Sequence, residues 1–200
     1  MESAIILQIR DRLKDAHSIL IASHVRPDGD AIGSLLALGL ALQNAGKTVQ
    51  MVLQDGVPAS FRHLQGHDQV QKEPKDGWDT FISVDCADFK RLGKPFESIR
   101  KPDINIDHHI TNEKFGTINL IVGEEVATAA ILTDCLPQWE LEITSPVAAA
   151  LLTGIVTDTS GAVLPGVTLE ATNTATGAVR SAVTGDDGVF TLPLIQPGVY

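Results

Sequence analysis

Three side chains that can bind a metal ion lie close together near the start of the chain. His24, Asp28 and Asp30 follow the apolar residues 18–22, which predict a buried strand, and precede the apolar residues 35–42, which predict a helix. Side chains at this spacing cannot all lie on one helix face, but they can converge in a tight turn between strand and helix. Carboxylate and imidazole ligands together suit divalent cations such as Mn²⁺ or Fe²⁺. The alternative is that Asp30 caps the helix.

Three later segments repeat this combination of an apolar run and a potential ligand. The runs cover residues 80–84, 103–106 and 148–156, and each is followed directly or closely by candidates: Asp85, Asp107, His108, His109 and Asp158. The carboxyl ends of parallel strands face one crevice, and ligands of α/β proteins bind there. Four such segments favour a binuclear metal site over four unrelated helix caps.

The elements that must position these residues alternate between strand and helix patterns. Strands are predicted at residues 18–22, 49–53, 78–84, 104–106 and 116–122. Helices are predicted at residues 4–16, from the first motif to about 44, at 124–135 and at 145–158. This alternation predicts an α/β fold, with a doubly wound, mainly parallel sheet and helices on both faces.

Composition narrows the class of partner. The net charge of −10 argues against nucleic-acid binding by general electrostatics, which needs a basic surface. A cluster of carboxylates that holds two divalent ions is nevertheless locally positive and can bind phosphate. Cys86 and Cys135 provide no disulfide framework, and neither a signal peptide nor an apolar run of about 20 residues is found. We therefore expect a cytoplasmic protein without a membrane partner.

The motifs together resemble the DHH phosphoesterase family. The patterns H-x-x-x-D-x-D-x-x-G-S, V-D-x-A-D, D-H-H and T-G-I-x-T-D-T occur in this order, and the resemblance covers roughly residues 1–159. The amino-terminal half is most similar to the nanoRNase and pAp-phosphatase branch. This resemblance implies a metal-dependent phosphoesterase that hydrolyses short RNA or 3′-phosphoadenosine 5′-phosphate (pAp).

The family resemblance also implies a role for each candidate residue. It implies two Mn²⁺ ions, with Mg²⁺ or Co²⁺ as alternatives. The first ion would be bound by His24, Asp28 and Asp85. The second would be bound by Asp30, Asp85, His108 and Asp158, so that Asp85 bridges the two. Asp107 would orient its neighbour and His109 would face the phosphate, as the catalytic pair.

Two further residues are expected to bind the substrate, a short RNA or a small phosphorylated nucleotide. Arg26 lies within the first motif and could meet a phosphate, or it could be a surface cation. Ser34 closes the same motif. A homodimer is compatible with this interpretation.

The composition changes after residue 159, where Thr, Val, Ala and Gly dominate. This segment resembles the carboxypeptidase regulatory-like domain, a small β-sandwich, from about Gly154 to Tyr200, and it predicts antiparallel β-hairpins. We expect a phosphoesterase domain at residues 1–159 and an incomplete β segment at 160–200. Residues 154–159 fit both patterns, as a helix end in one and as a first strand in the other. The helix is favoured, because the pattern of residues 145–152 continues into it.

The order of these two segments leaves the function of the whole chain open. DHH phosphoesterases carry a second, substrate-binding domain with a glycine-rich motif, and no such motif follows residue 159. Weak activity is therefore expected. One alternative is an inactive metal-binding fragment or a chimeric interaction protein, and another is an inorganic pyrophosphatase-like hydrolase. Natural recombination, an assembly artefact and a designed fusion all remain open as origins of the junction.

Overall fold

Short runs rich in branched apolar residues form parallel strands in the computed structural model, which describes residues 2–156, 168–172 and 176–183. The first five strands are β1 (Ser18–Ala22), β2 (Thr48–Val52), β3 (Thr80–Val84), β4 (Ile104–Asp107) and β5 (Ile118–Ile121). They form one sheet in the order β2-β1-β3-β4-β5, and every neighbouring pair is parallel. The predicted α/β fold with a parallel sheet is therefore confirmed.

The strand order places a topological switch point at the centre of the sheet. From β1 the chain moves to β2 on one side, and from β3 onwards it continues on the other side of β1. The loops that leave β1 and β3 therefore diverge and open a crevice above the carboxyl ends of these two strands. Ligands of open α/β sheets bind at such a point.

The described part of the chain contains four α-helices: α1 (Glu2–Asp15), α2 (Gly29–Asn44), α3 (Thr128–Gln138) and α4 (Ser145–Val156). The residue that caps α2 is Asp28 and not Asp30, because the Asp28 carboxylate accepts a hydrogen bond from the Ala31 N–H at 3.0 Å. Asp30 is thus left free for other contacts.

Helix α3 begins later than the sequence pattern predicts. It starts at Thr128 instead of residue 124. The apolar period of residues 124–135 predicts that Val126 is buried, but Val126 is 72% exposed. The prediction for Val126 is wrong because the preceding turn belongs to the site rather than to the helix. The Glu125 carbonyl lies 3.2 Å from His108 Nδ1, and the first N–H groups of α3 donate to Asp30.

Alternate residues of the central strands face two hydrophobic clusters, one on each side of the sheet. On β1, Ile19 and Ile21 join the cluster to which all four α-helices contribute, whereas Leu20 and Ala22 join the other. The second cluster is completed by residues of two short 3₁₀ helices, Phe89–Leu92 and Lys94–Phe96. The central strands are therefore buried on both faces, as parallel sheets require.

Close packing of α2 and α4 brings both helices next to the carboxyl edge of the sheet. A Cβ atom at Gly33 would lie within 3 Å of the Ala150 carbonyl and of the Gly154 backbone, and one at Gly154 would meet Ala129 and Asp30. Only glycine permits this approach. The predicted helix that starts at Ser145 is confirmed as far as Val156.

Two compact units divide the chain, at residues 1–155 and 156–200. In the second unit, β6 (Thr168–Thr172) pairs antiparallel with β7 (Val179–Val183), so the predicted antiparallel β structure is found in this segment. The predicted metal ligand Asp158 lies outside the described residues, and so does the part of the predicted β segment after residue 183. Within the described ranges, no helix has the length and apolar character needed to cross a membrane.

Candidate metal centre

The predicted ligands that lie in the described residues meet at the carboxyl ends of β1, β3 and β4, three strands that are adjacent in the sheet. His24 and Asp28 lie in the turn after β1, Asp85 directly follows β3, and Asp107 is the last residue of β4. The parallel sheet thus brings together residues that are far apart in sequence. Asp85 is 1% exposed and lies at the centre of the group.

One group of three ligands consists of His24, Asp28 and Asp85, whose ligand atoms all lie within 4.8 Å of one another. His24 Nε2 is 3.5 Å from Asp85 Oδ2 and 3.8 Å from Asp28 Oδ2. His24 Nδ1 faces the Val25 carbonyl at 2.9 Å, so Nδ1 carries the proton and donates it. Nε2 is therefore presented to the carboxylates, which is the arrangement of a histidine metal ligand.

A second group consists of Asp85, His108 and His109 and satisfies the same distance limit. His108 Nε2 lies 3.8 Å from Asp85 Oδ1 and 3.7 Å from Asp30 Oδ2, while its Nδ1 faces the Glu125 carbonyl. His108 thus also turns Nε2 towards the carboxylates. Asp85 is common to both groups, which is the geometry expected of a bridging ligand.

Asp30 is held firmly beside this second group. Its carboxylate accepts hydrogen bonds from the Thr128 N–H at 2.7 Å, the Ala129 N–H at 2.9 Å and the Ser34 hydroxyl at 3.1 Å. The two N–H groups belong to the start of α3, where the helix dipole also favours an anion. The carboxylate is therefore fixed in orientation, with Oδ2 towards His108.

The electrostatics of the cluster favour an added cation. Burial and repulsion from Asp85 raise the pKa of Asp30 to about 8. Burial opposes ionisation of Asp85, but its hydrogen bond with His24 and the charges of three histidines hold its pKa below the usual value. In the absence of metal, Asp85 is thus ionised while Asp30 retains a proton. A divalent cation would displace that proton, since metal ligands must be deprotonated.

The carboxylates of the cluster also shift the pKa of His24. Burial lowers its pKa, but the hydrogen bond with Asp85 and the charges of Asp85 and Asp28 outweigh that effect, so its pKa is raised. Protonated imidazole and bound metal are alternatives at the same nitrogen. The donor set of imidazole and carboxylate, with three of its members nearly inaccessible to water, therefore fits a divalent transition metal.

Asp107 and His109 form a pair at the edge of the centre. His109 Nδ1 lies 2.7 Å from Asp107 Oδ1, and Asp107 also accepts hydrogen bonds from the His108 N–H and from Asn112 Nδ2. The hydrogen bond with Asp107 raises the pKa of His109. Because Nδ1 is engaged, Nε2 is the ring nitrogen that is left to meet a ligand.

Comparison with known proteins identifies the family. The DHH family, N-terminal domain, matches residues 18–155, more than half of the chain. The chain belongs to the DHH family. A carboxypeptidase regulatory-like domain matches residues 152–200, so the two matches share residues 152–155.

Relatives of this DHH family member include two proteins that are named NrnA. The bifunctional oligoribonuclease and PAP phosphatase NrnA of Thermus thermophilus is 40% identical over 146 residues, which are 70% of this chain and 43% of that protein. The probable bifunctional oligoribonuclease and PAP phosphatase NrnA of Streptococcus mutans is 27% identical over 159 residues, which are 78% of this chain and 50% of that protein. The chain spans about half the length of these curated relatives.

A solved structure has the same fold. The exopolyphosphatase-related protein from Bacteroides fragilis superposes with a TM-score of 0.73 at 26% sequence identity. The match covers 80% of this chain and 51% of that one. The parallel sheet and its crevice are therefore those of a DHH-family domain.

The two predicted substrate-binding residues, Ser34 and Arg26, and the nearby Cys86 have clear positions in the DHH domain. Ser34 is fully buried and donates to Asp30, which suits a residue that holds a ligand better than one that touches substrate. Arg26 is exposed in the turn after β1. Cys86, next to Asp85, is buried; burial raises the pKa of its thiol to about 12, as expected of a packed, unreactive residue.

Several residues that support the site were not singled out from the sequence. The Thr128 hydroxyl donates to Asp85 Oδ1 at 3.1 Å, and Asn112 connects Asp107 to the Cys86 carbonyl and to Asn105. Thr128 precedes an apolar periodic run, which is a helix-start signal, but its contact with Asp85 is visible only in the fold. Arg26 and Asp85 have φ values of +54° and +50°, which side chains other than glycine seldom adopt. Such strain often accompanies a functional site.

Proposed function

We propose that residues 1–159 form the catalytic domain of a metal-dependent phosphoesterase that hydrolyses short oligoribonucleotides and pAp. The observation that carries this proposal is that Asp85, at the carboxyl edge of the sheet, faces His24 through one carboxylate oxygen and His108 through the other. Family membership and the 40% identity to a bifunctional oligoribonuclease and PAP phosphatase support the substrate class. The activity named for that relative belongs to a protein about twice as long as the matched part.

We assign the metal as two Mn²⁺ ions, with Mg²⁺ or Co²⁺ as substitutes. Mixed imidazole and carboxylate ligands suit Mn²⁺. His24 and Asp28 would hold one ion, His108 and Asp30 the other, and Asp85 both. Asp158 remains a predicted additional ligand of the second ion. When bound, two such ions supply Lewis-acid stabilisation of the phosphoryl group and increase the acidity of water.

The residues of this chain have distinct tasks in the proposed reaction. The oxygen of a water molecule forms a bond to phosphorus and gives a proton to solvent, while the bond from phosphorus to the leaving 3′-oxygen breaks. The electron pair of that bond goes to the 3′-oxygen, which takes a proton from His109 Nε2. Asp107 orients His109 through the 2.7 Å contact with Nδ1 and, by raising its pKa, favours the protonated ring.

Hydrolysis assays on the purified full chain test this proposal. The substrates are the 5′-phosphorylated dinucleotide pApA and pAp, with Mn²⁺, Mg²⁺, Co²⁺ or a chelator present. We expect hydrolysis that requires the metal and falls about 100-fold or more in His109→Gln. The matched control is His63→Gln, since His63 lies in an exposed loop where its Nδ1 contacts only the Ser60 carbonyl. Equal rates in the two variants, or no hydrolysis by the unaltered chain with any ion, would contradict the proposal.

A second candidate function is the hydrolysis of phosphoanhydrides. The structural likeness to an exopolyphosphatase-related protein favours it, because phosphoanhydride hydrolysis needs the same kind of metal centre. Inorganic pyrophosphate and polyphosphate in the same assay decide between the candidates. If the chain binds metal but hydrolyses neither pApA, pAp nor a phosphoanhydride, the interpretation that remains is an inactive metal-binding fragment. The homodimer stays a prediction, which light scattering can check.

A further inference from the structure

The arginines of this chain differ in whether their guanidinium groups have partners. The sequence contains seven arginines. Five of them make side-chain hydrogen bonds: Arg10, Arg12, Arg62, Arg100 and Arg180. Among the described residues, the guanidinium groups of Arg26 and Arg91 have neither a hydrogen bond nor an ion pair. Both are exposed. Arg26 lies in the turn after β1, and Arg91 lies in the 3₁₀ helix Phe89–Leu92 that follows β3.

The backbone around these two arginines is fixed against neighbouring loops. The Val25 N–H donates to the Arg91 carbonyl at 2.7 Å, which ties the turn after β1 to the loop after β3. The Arg26 N–H donates to Asp55 Oδ2 at 2.6 Å, and the Lys94 N–H donates to Gln54 Oε1 at 2.7 Å. The loops after β1, β2 and β3 thus form one connected frame beside the metal centre. Arg26 and Arg91 are neighbours in this frame.

Arg91 also lies within electrostatic reach of His109. The hydrogen bond with Asp107 is the main reason why the pKa of His109 is raised, and the positive charge of Arg91 opposes that rise. The positive charge of Arg91 likewise opposes the rise in the pKa of Cys86, the neighbour of Asp85. The charge of Arg91 thus acts on His109, the residue that the proposed function places at the scissile phosphate.

The two proposed substrates have one chemical feature in common. In pAp and in pApA, the scissile phosphorus is attached to the 3′-oxygen of a nucleoside that also carries a 5′-phosphate. Hydrolysis of either one breaks the bond from phosphorus to the 3′-oxygen and releases adenosine 5′-monophosphate. A site that fixes the scissile phosphorus therefore meets the 5′-phosphate of that same nucleotide at a similar place in both substrates.

We propose that Arg91, with Arg26 beside it, binds the 5′-phosphate of the nucleotide whose 3′-oxygen is the leaving group. This inference rests on the proposed function and extends it. It explains how a single metal centre can select both pAp and pApA, since both carry this 5′-phosphate. The guanidinium group suits this task, since its planar donors bind phosphate through two hydrogen bonds at once. Two arginines without carboxylate partners are free to do so in a chain that is otherwise acidic.

Ligand binding tests this inference without relying on turnover. Affinities for pAp and for adenosine 3′-monophosphate, which lacks the 5′-phosphate, are measured by calorimetry with Mn²⁺ in a His109→Gln background that slows hydrolysis. We expect pAp to bind more tightly, and Arg91→Ala to reduce this preference by about tenfold, as loss of a charged hydrogen bond predicts. Arg26→Ala should reduce it less. Arg91→Lys should restore part of it, because an ammonium group keeps the charge but lacks the planar donors.

The matched control is Lys101→Ala. It removes one exposed positive charge at the opposite, amino-terminal edge of the sheet, just before β4, and should keep the full preference for pAp. An unchanged preference in Arg91→Ala, or no detectable binding of pAp, would overturn the inference. The outcome for the proposed function is separate. If the chain hydrolyses pAp and pApA but its preference for pAp over adenosine 3′-monophosphate does not depend on Arg91, the proposed function holds and this inference fails. If the preference depends on Arg91 but neither substrate is hydrolysed, the binding site is supported and the proposed function fails.

Discussion

At the scale of single residues, the proposed centre depends most on Asp85. Its carboxylate is almost inaccessible to water and lies within 4 Å of ring nitrogens of His24, His108 and His109. It also accepts the hydrogen bond of Thr128. Its left-handed backbone turns the chain sharply at the end of β3. No other described residue belongs to both groups of candidate ligands.

Thr128 offers a test of how this carboxylate is oriented. In Thr128→Val, the shape of the side chain and the backbone hydrogen bond to Asp30 are retained, but the donor to Asp85 is lost. We expect Mn²⁺ to bind about 10-fold to 100-fold more weakly, as is typical when a partner of a metal ligand is removed. Titration followed by calorimetry measures the change. The control is Thr133→Val in the same helix, whose hydroxyl donates only to the Ala129 carbonyl, and an equal loss in both variants would refute the role of Thr128.

The sequence predicts the charged members of the site more readily than their partners. His24, Asp28 and Asp85 can be found from their types and their places after apolar runs, since the carboxyl ends of parallel strands converge. Thr128 and the Glu125 carbonyl could not be found in this way. Their contacts depend on where α3 begins in three dimensions, and the apolar period of residues 124–135 predicts a start one turn too early.

At the scale of elements, Asp103 links strands at the amino-terminal edge of the sheet. Its carboxylate accepts hydrogen bonds from the Phe81 N–H and from Arg100, both at 2.8 Å. Burial raises the pKa of Asp103, but the bond with Arg100 and the other partners outweigh burial and hold the pKa below its ordinary value. The folded state therefore binds the proton less tightly than the unfolded state does. The ionised form of Asp103 stabilises the fold.

Asp103→Asn should lower the free energy of unfolding by about 1 kcal/mol at pH 7, a modest value because the pair is partly exposed to solvent. Since the folded pKa is lowered, this difference should persist above the ordinary pKa of 3.8 and shrink as the pH falls through the folded value. Urea denaturation at several pH values measures it. Asp76→Asn, in an exposed turn, removes the same charge as a control. A difference that grows below pH 4 would contradict the assigned direction.

The sheet itself could be predicted well, but the ends of its elements could not. Runs of apolar residues identify the five strands of this sheet, and the runs are most continuous in the central strands, which are buried on both faces. Strand β3 starts two residues later than the pattern indicates, since the Asp79 carboxylate accepts the N–H groups of His17 and Ser18. The second face is covered by 3₁₀ helices that have too few residues to show a helical period.

At the scale of the whole molecule, the division into two units makes a prediction about stability. All residues assigned to the two hydrophobic clusters in the described part of the chain precede Val156. Deleting residues 163–200 should therefore change the melting temperature of the first unit by less than about 2 °C, equivalent to less than about 1 kcal/mol for a domain of this size. Thermal unfolding followed by circular dichroism measures it. A fall of more than about 5 °C would mean that the second unit stabilises the first.

The central claim is that one carboxylate, Asp85, serves two metal ions. The most direct measurement is the number of Mn²⁺ ions bound per chain in the unaltered protein, in Asp85→Asn and in Asp134→Asn, which changes an exposed carboxylate on α3. Native mass spectrometry counts the ions, and circular dichroism confirms that each variant is folded. We predict two ions in the unaltered protein and in Asp134→Asn. In Asp85→Asn we predict either no bound ion or one weakly bound ion. Two tightly bound ions in folded Asp85→Asn would contradict the claim.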